Sequence, residues 1–95
     1  MKLSEYEAQA ERTANTKLSE RDRLLDSAMG LAEEAGEVLA LVRKHSFQSR
    51  NLSRERLEEE LGDALWCLAM TARHAGMTLE QVAAANLAKL KARHP

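Results

Sequence analysis

Ninety-five residues, 31% of them charged and 44% hydrophobic, describe one folded domain rather than a disordered chain or two domains. The net charge of −1 gives no overall attraction to nucleic acid or to an anionic membrane. A single cysteine, Cys67, excludes an intrachain disulfide and a multi-cysteine zinc site.

No apolar run approaches the ~18 residues of a membrane span, and no signal-peptide pattern opens the chain, so a cytoplasmic protein is expected. Aromatic content is only 3%, which leaves Leu, Ala, Val and Met to build the core. A chain this short buries roughly 60–65% of the surface its unfolded form exposes. Part of its apolar surface is therefore expected to require a partner subunit.

The first segment, about Ser4 to Ala14, is polar with Tyr6 and Ala10 a helical turn apart, and reads as a helix. A second helix starts after Ser19, whose hydroxyl suits an N-cap, with Glu20 and Asp22 favouring the positive end of the helix dipole. From there Leu24, Leu25, Ala28, Leu31, Ala32, Ala35, Val38, Leu39 and Val42 recur with a 3.6-residue period. Arg43, Lys44 and His45 suit the last turn, so the helix is expected over about Glu20 to His45. Gly30 and Gly36 cost helix propensity, ~1 kcal/mol each against Ala, and close backbone approach beside the acidic run would explain them.

Ser46 to Leu52 reads as the main loop. Ser53 caps a third helix over about Arg54 to His74, ended by Gly76. Its stripe is Leu57, Leu61, Ala64, Leu65, Leu68, Ala72 and Ala75, while Ala64–Met70 is apolar all round. Trp66 and Met70 lie off that stripe and are the residues expected to meet a partner subunit. Thr78-Leu79-Glu80-Gln81 is a capping box that launches a fourth helix to about Arg93, with Leu79, Val82, Ala83, Leu87 and Leu90 apolar. Four helices and no strand signal give an all-α, four-helix-bundle-like fold.

Seven of the 15 acidic residues fall in two runs, Glu33-Glu34-Glu37 and Glu58-Glu59-Glu60-Asp63. Glu34 and Glu37 are three apart on one helix, Glu60 and Asp63 three apart on another, so each pair shares a face. Antiparallel packing would bring four carboxylates to one site. Such a cluster is repulsive unless compensated, and a hard divalent cation with oxygen ligands compensates it. A solvated acidic face is the plainer reading of any one pair. Against it, Glu60 and Asp63 share their side of the helix with Cys67 and Met70 rather than with a continuous polar face.

The run Gly30-Leu31-Ala32-Glu33-Glu34-Ala35-Gly36-Glu37-Val38 resembles the first signature of MazG-type nucleotide pyrophosphohydrolases. Glu59-Glu60-Leu61-Gly62-Asp63-Ala64-Leu65-Trp66 resembles the second. The family pattern is Glu-Glu-x-x-Glu, a variable stretch, then Glu-x-x-Asp, and here 22 residues separate Glu37 from Glu60. The resemblance covers Gly30 to Pro95 clearly and the N-terminal third loosely. It implies hydrolysis of a nucleoside triphosphate to the monophosphate and pyrophosphate with Mg²⁺, or Mn²⁺ as a substitute. It further implies Glu34, Glu37, Glu60 and Asp63 as metal ligands, with Glu33 either a ligand or the group that orients the attacking water. Glu33 and Glu34 are thus the catalytic candidates, and a homodimer or homotetramer is the implied active unit.

The tail from Asn86 to Pro95 resembles the family's Asn, Lys and Arg pattern, which implies that Asn86, Lys89 and Arg93 touch substrate. Lys89, Lys91 and Arg93 also simply suit a helix C-terminus. Lys44, two turns past Glu37, is a candidate for a polyphosphate. Arg50, Arg54 and Arg56 read as a soluble basic loop. Nucleic acid is disfavoured there, since only Phe47 offers a stacking ring and seven acids are near. Tyr6 and Trp66 are the aromatics large enough to face a base, although a lone Trp in an apolar helix more often packs. Cys67 reads as packing beside the site. None of His45, His74 and His94 has a carboxylate three residues before it, so the Glu-x-x-His element of di-iron bundles is absent. Housecleaning of unwanted nucleotides is the leading role. A narrower dUTP or dCTP pyrophosphatase of the same fold, and a non-catalytic helical binding module, remain as alternatives.

Overall fold

The computed structural model describes residues 1–48 and 51–95, and every regular element among them is a helix. Helix α1 spans Leu3–Glu11, α2 Glu20–Phe47, α3 Arg54–His74 and α4 Leu79–Arg93. The ends follow from capping chemistry. The Ser19 hydroxyl accepts from the Asp22 amide at 3.2 Å and the Ser53 hydroxyl from the Arg56 amide at 3.3 Å. At α4 the capping box is complete, with the Gln81 amide on the Thr78 hydroxyl at 3.1 Å and the Thr78 amide on the Gln81 side chain at 2.9 Å. Helix α3 stops in a Schellman turn at Gly76, whose φ of 81° is left-handed. There the Met77 amide bonds to the Ala72 carbonyl and the Gly76 amide to that of Arg73.

Two boundaries differ from expectation. Helix α1 ends at Glu11 rather than Ala14, because the Thr13 hydroxyl turns back onto the Ala10 carbonyl at 2.7 Å. Helix α2 continues through Ser46 to Phe47, into the expected loop, of which Ser49 and Arg50 lie outside the described residues.

Helices α2 and α3 form an antiparallel hairpin: Gly30 stands against Cys67, and Glu34 against Glu60 and Asp63. Its seam has heptad spacing. The seam positions, none of them fully exposed, are Leu24, Ser27, Leu31, Glu34, Val38 and Leu41 on α2 and Leu57, Glu60, Ala64, Cys67, Thr71 and His74 on α3. Helix α1 packs on α3 and α4, and α4 on α1 and α3; among the described residues neither touches α2. The core lies where these three meet, in Ala10, Ala69, Met70 and Leu79, with Tyr6, Ala14 and Trp66 around them.

This packing corrects the expected partner face. Met70 is fully buried, and the Trp66 indole donates to the Thr13 hydroxyl at 2.9 Å and the Ala10 carbonyl at 3.3 Å, so α1 covers both residues within the chain. The expected core residues Leu25, Leu39 and Leu61 are instead more than half exposed, as is Met29. On a helical wheel these residues, with Leu65 and Leu68, lie roughly 80–130° round from the seam on both helices in the same rotational sense, with Met29 further round at about 180°. On antiparallel neighbours that puts both stripes on one side of the hairpin, opposite α1.

Candidate metal centre

The seam that packs the hairpin also carries its acids. Glu34 occupies a seam position of α2 and Glu60 one of α3, which holds both half-buried, while Asp63 follows one turn on at the edge. One carboxylate oxygen from each of the three lies within 4.8 Å of the others. Oxygens held around a small cation at about 2.1 Å lie no more than roughly 4.2 Å apart, so the cluster is close to a ligating arrangement without a backbone change.

The electrostatics carry the mark of crowding. Burial in the seam pushes the Glu34 carboxyl above its usual range. The Asp63 charge, a hydrogen bond with Glu60, and then the charges of Glu60 and Glu33 add to the rise. Like-charged groups at this separation favour a shared proton or a cation. An all-carboxylate donor set suits a hard ion such as Mg²⁺ or Mn²⁺ and does not suit a thiophilic one.

Glu33 and Glu37 are exposed on α2, outside the trio. The wheel nevertheless puts both on the Asp63 side of the hairpin. Cys67, one turn past Asp63, is buried; burial first, then Glu34, Asp63, Asp26 and Glu33, raise its pKa. It is a protonated packing group rather than a nucleophile. Gly30 makes room for it, since a Cβ there would stand 3.0 Å from the Cys67 sulfur. The expectation of close approach holds at Gly30 and fails at Gly36, where a Cβ would meet nothing within 4 Å.

The cationic candidates stand apart from the trio. Lys44 lines a cavity of about 90 Å³ at the end of the hairpin where α2 leads into α3, with Leu41, His45, Asn51, Leu52, Ser53 and Arg56. Ten residues of helix, roughly 15 Å, separate its backbone from that of Glu34. Asn86, Lys89 and Arg93 are exposed on α4. The ion pair seen among the described residues is Arg73–Glu11 at 2.6 Å, which ties α3 to α1.

Two residues of α1 show their surroundings only in three dimensions, one of them the base-facing candidate Tyr6. The Tyr6 phenol has its pKa raised by burial first, and then by its interactions with Cys67 and Asp63, which places it near the acidic cluster. Glu7 is buried, and its carboxylate accepts the Leu79 amide at the start of α4. A lone Glu in a polar helix gives no sequence signal of such burial. Its position one residue from Tyr6 and three from Ala10, on the face that becomes core, was the available hint.

A family model described as the MazG nucleotide pyrophosphohydrolase domain matches residues 22–95. No curated protein and no solved structure matches the chain. The matched span takes in both acidic runs and α4 and leaves out α1. The carboxylates that meet across the hairpin thus sit inside the matched domain, and the chain belongs to the MazG nucleotide pyrophosphohydrolase domain family.

Proposed function

We propose that this chain hydrolyses nucleoside triphosphates to the monophosphate and pyrophosphate in a Mg²⁺-dependent reaction, with Mn²⁺ as a substitute. The observation that carries the reading is the convergence of Glu34, Glu60 and Asp63 from two helices, within the span of a nucleotide pyrophosphohydrolase domain. Glu34, Glu60 and Asp63 would hold the ion, with Glu37 turning in from the same side of α2. When bound, Mg²⁺ supplies positive charge that offsets the carboxylates and the charge developing on phosphate oxygens. Glu33, exposed beside Glu34, is assigned to orienting the attacking water. Asn86, Lys89 and Arg93 are assigned to the polyphosphate, and Lys44 to its far end.

The active unit in this reading is a homodimer or homotetramer acting on the cytoplasmic nucleotide pool; no described helix is long and apolar enough to cross a membrane. The accessible surface is 7536 Å². A folded monomer of this mass exposes about 5,500 Å². The radius of gyration is 15.5 Å. About 12 Å is usual for this length. The excess of roughly 2,000 Å² is of the size that obligate subunit interfaces remove, and the bare face at Leu25, Met29, Leu39 and Leu61 supplies apolar area for it.

Pyrophosphate release measured with Mg²⁺ over a panel of canonical, noncanonical and deoxyuridine or deoxycytidine triphosphates tests the function. Broad turnover supports housecleaning, and turnover of one base alone supports a dedicated pyrophosphatase. No turnover of any nucleotide overturns the reading in favour of a binding module.

A further inference from the structure

Helix α4 is anchored at one end. Leu79 is its buried residue and Val82 is half-buried, while every position from Ala83 to Arg93 is exposed. Its direction is therefore set in the first turn. The capping box of Thr78 and Gln81 closes within that turn and so does not fix the helix to a neighbour. Leu79 reaches outside it in two ways. The Leu79 side chain packs with Ala10, Ala69 and Met70, and the Leu79 amide donates to the carboxylate of Glu7 on α1. Glu7 is only 5% exposed, and its carboxyl group faces the free amides at the start of α4.

Helix α1 is in turn fixed to α3. The Trp66 indole holds Thr13, and Arg73 pairs with Glu11. Trp66 lies one turn past Asp63 on α3, so the helix that carries Asp63 is joined through the α1 segment to the base of α4. Asn86, Lys89 and Arg93 continue the face of α4 that Leu79 and Val82 press inward. They lie on a lever. Lys89 is ten residues, roughly 15 Å, beyond Leu79, so a tilt of about 10° at the anchor moves it by about 2.6 Å.

We propose that Glu7 is a positioning residue: through the Leu79 amide it sets the tilt of α4 and hence the place of Asn86, Lys89 and Arg93 relative to the nucleotide. The functional half of this inference rests on the hydrolysis proposed above. Helix α1 lies outside residues 22–95, so the strap is a feature of this chain's N-terminal segment rather than of the matched domain.

The test compares Glu7→Ala with Glu7→Gln in the full chain. Residual dipolar couplings give the angle of α4 to the hairpin, and steady-state kinetics separate KM from kcat. Glu7→Ala is expected to change the angle and raise KM by roughly tenfold with kcat little changed, the signature of lost uniform binding. Glu7→Gln keeps an acceptor for the Leu79 amide and is expected to restore both. An unchanged angle and KM in Glu7→Ala overturns the proposal, as does an equal loss in both variants. If Glu7→Ala does not fold, Glu7→Asp replaces it, with the acceptor withdrawn by one methylene; a wild-type KM and angle there overturn the proposal. A wild-type chain that hydrolyses no nucleotide refutes the enzyme reading, and the α4 angle then still decides whether Glu7 sets the helix.

Discussion

The two faces of the α2–α3 hairpin are made from the same helices and left in opposite states. One face carries Asp63, Trp66 and Met70 and is covered by α1, through a tyrosine, small side chains and hydrogen bonds. The other carries Leu25, Met29, Leu39 and Leu61, all more than half exposed. Apolar content alone would have assigned them the other way, since the bare face holds more large aliphatic residues. Close packing decides instead: Ala69, Ala72 and Ala10 let α1 lie against α3, where a row of leucines would hold it off. The small residues Ala10, Ala69 and Ala72 thus serve the internal contact around Met70 and Trp66, while the exposed leucines and Met29 leave an apolar surface on the other side.

The largest effect expected from breaking this contrast is at Met70. Truncating the fully buried side chain in Met70→Ala should cost about 2–5 kcal/mol in a urea melt, because three helices meet there and little can collapse into the gap. Leu65→Glu, on the opposite face, should leave the helical spectrum intact and lower the mass seen by light scattering. A wild-type chain that runs as a fully active monomer of 10.6 kDa would remove the partner role of that face.

On the acidic face the effect should be on turnover rather than folding. Asp63→Asn and Glu37→Gln are each expected to lower kcat by about 10²–10³, the scale on which one preplaced charge-stabilising group acts. Both residues are exposed, so the melting temperature should hardly move. Unchanged turnover in either helical variant would sink the ligand assignment for that residue.

Much of the fold was legible in the sequence because helix ends are local chemistry. Ser19, Ser53, Thr78 and Gly76 announce their caps through their own side chains or backbone freedom, and α3 falls on its expected bounds. The acidic site was half legible: the spacing of Glu34 with Glu37 and of Glu60 with Asp63 implied a meeting of four carboxylates, of which Glu34, Glu60 and Asp63 come together and Glu37 does not. Which apolar stripe turns inward was not legible. Leu24 and Leu25 are adjacent and equally hydrophobic, yet only the first enters the seam, and that choice depends on the partner helix. Glu7 was invisible for the same reason, since its partner is 72 residues away.

Metal should sharpen the contrast by acting on one face only. Mg²⁺ at 100 times its dissociation constant is expected to add ~2.7 kcal/mol to stability, and NaCl at matched ionic strength to add far less. The metal-free chain carries the opposite sign. Because the Glu34 pKa is raised on folding, its contribution is fully present below the unfolded carboxyl value and is lost as pH rises through the folded one. Glu60→Gln, which relieves part of that repulsion, should leave the metal-free protein as stable or more stable at neutral pH while shrinking the Mg²⁺ response. Equal shifts from Mg²⁺ and NaCl, unaltered in Glu60→Gln, would reduce the carboxylates to a solvated surface.

The smallest effect distinguishes two glycines of α2 that the sequence treats alike. Replacing glycine by alanine inside a helix gains about 1 kcal/mol when the new methyl meets nothing. At Gly36 a Cβ has no neighbour within 4 Å, so Gly36→Ala should raise stability by about that amount. At Gly30 the same methyl would stand 3.0 Å from the sulfur of buried Cys67, in the part of the seam where the two helices carry the acids. Overpacking there costs about 1–3 kcal/mol, enough to cancel the propensity gain or reverse it. Gly30→Ala should therefore be neutral to destabilising alone. In a Cys67→Ala background, which removes the sulfur, it should be favourable relative to that parent. The sign reversal between backgrounds isolates the contact from propensity, because propensity is the same in both. Denaturant midpoints of the four variants decide it: a Gly30→Ala that stabilises equally with and without Cys67 would mean that the helices already have slack at this point, and that the close approach beside the acidic cluster is not what Gly30 provides.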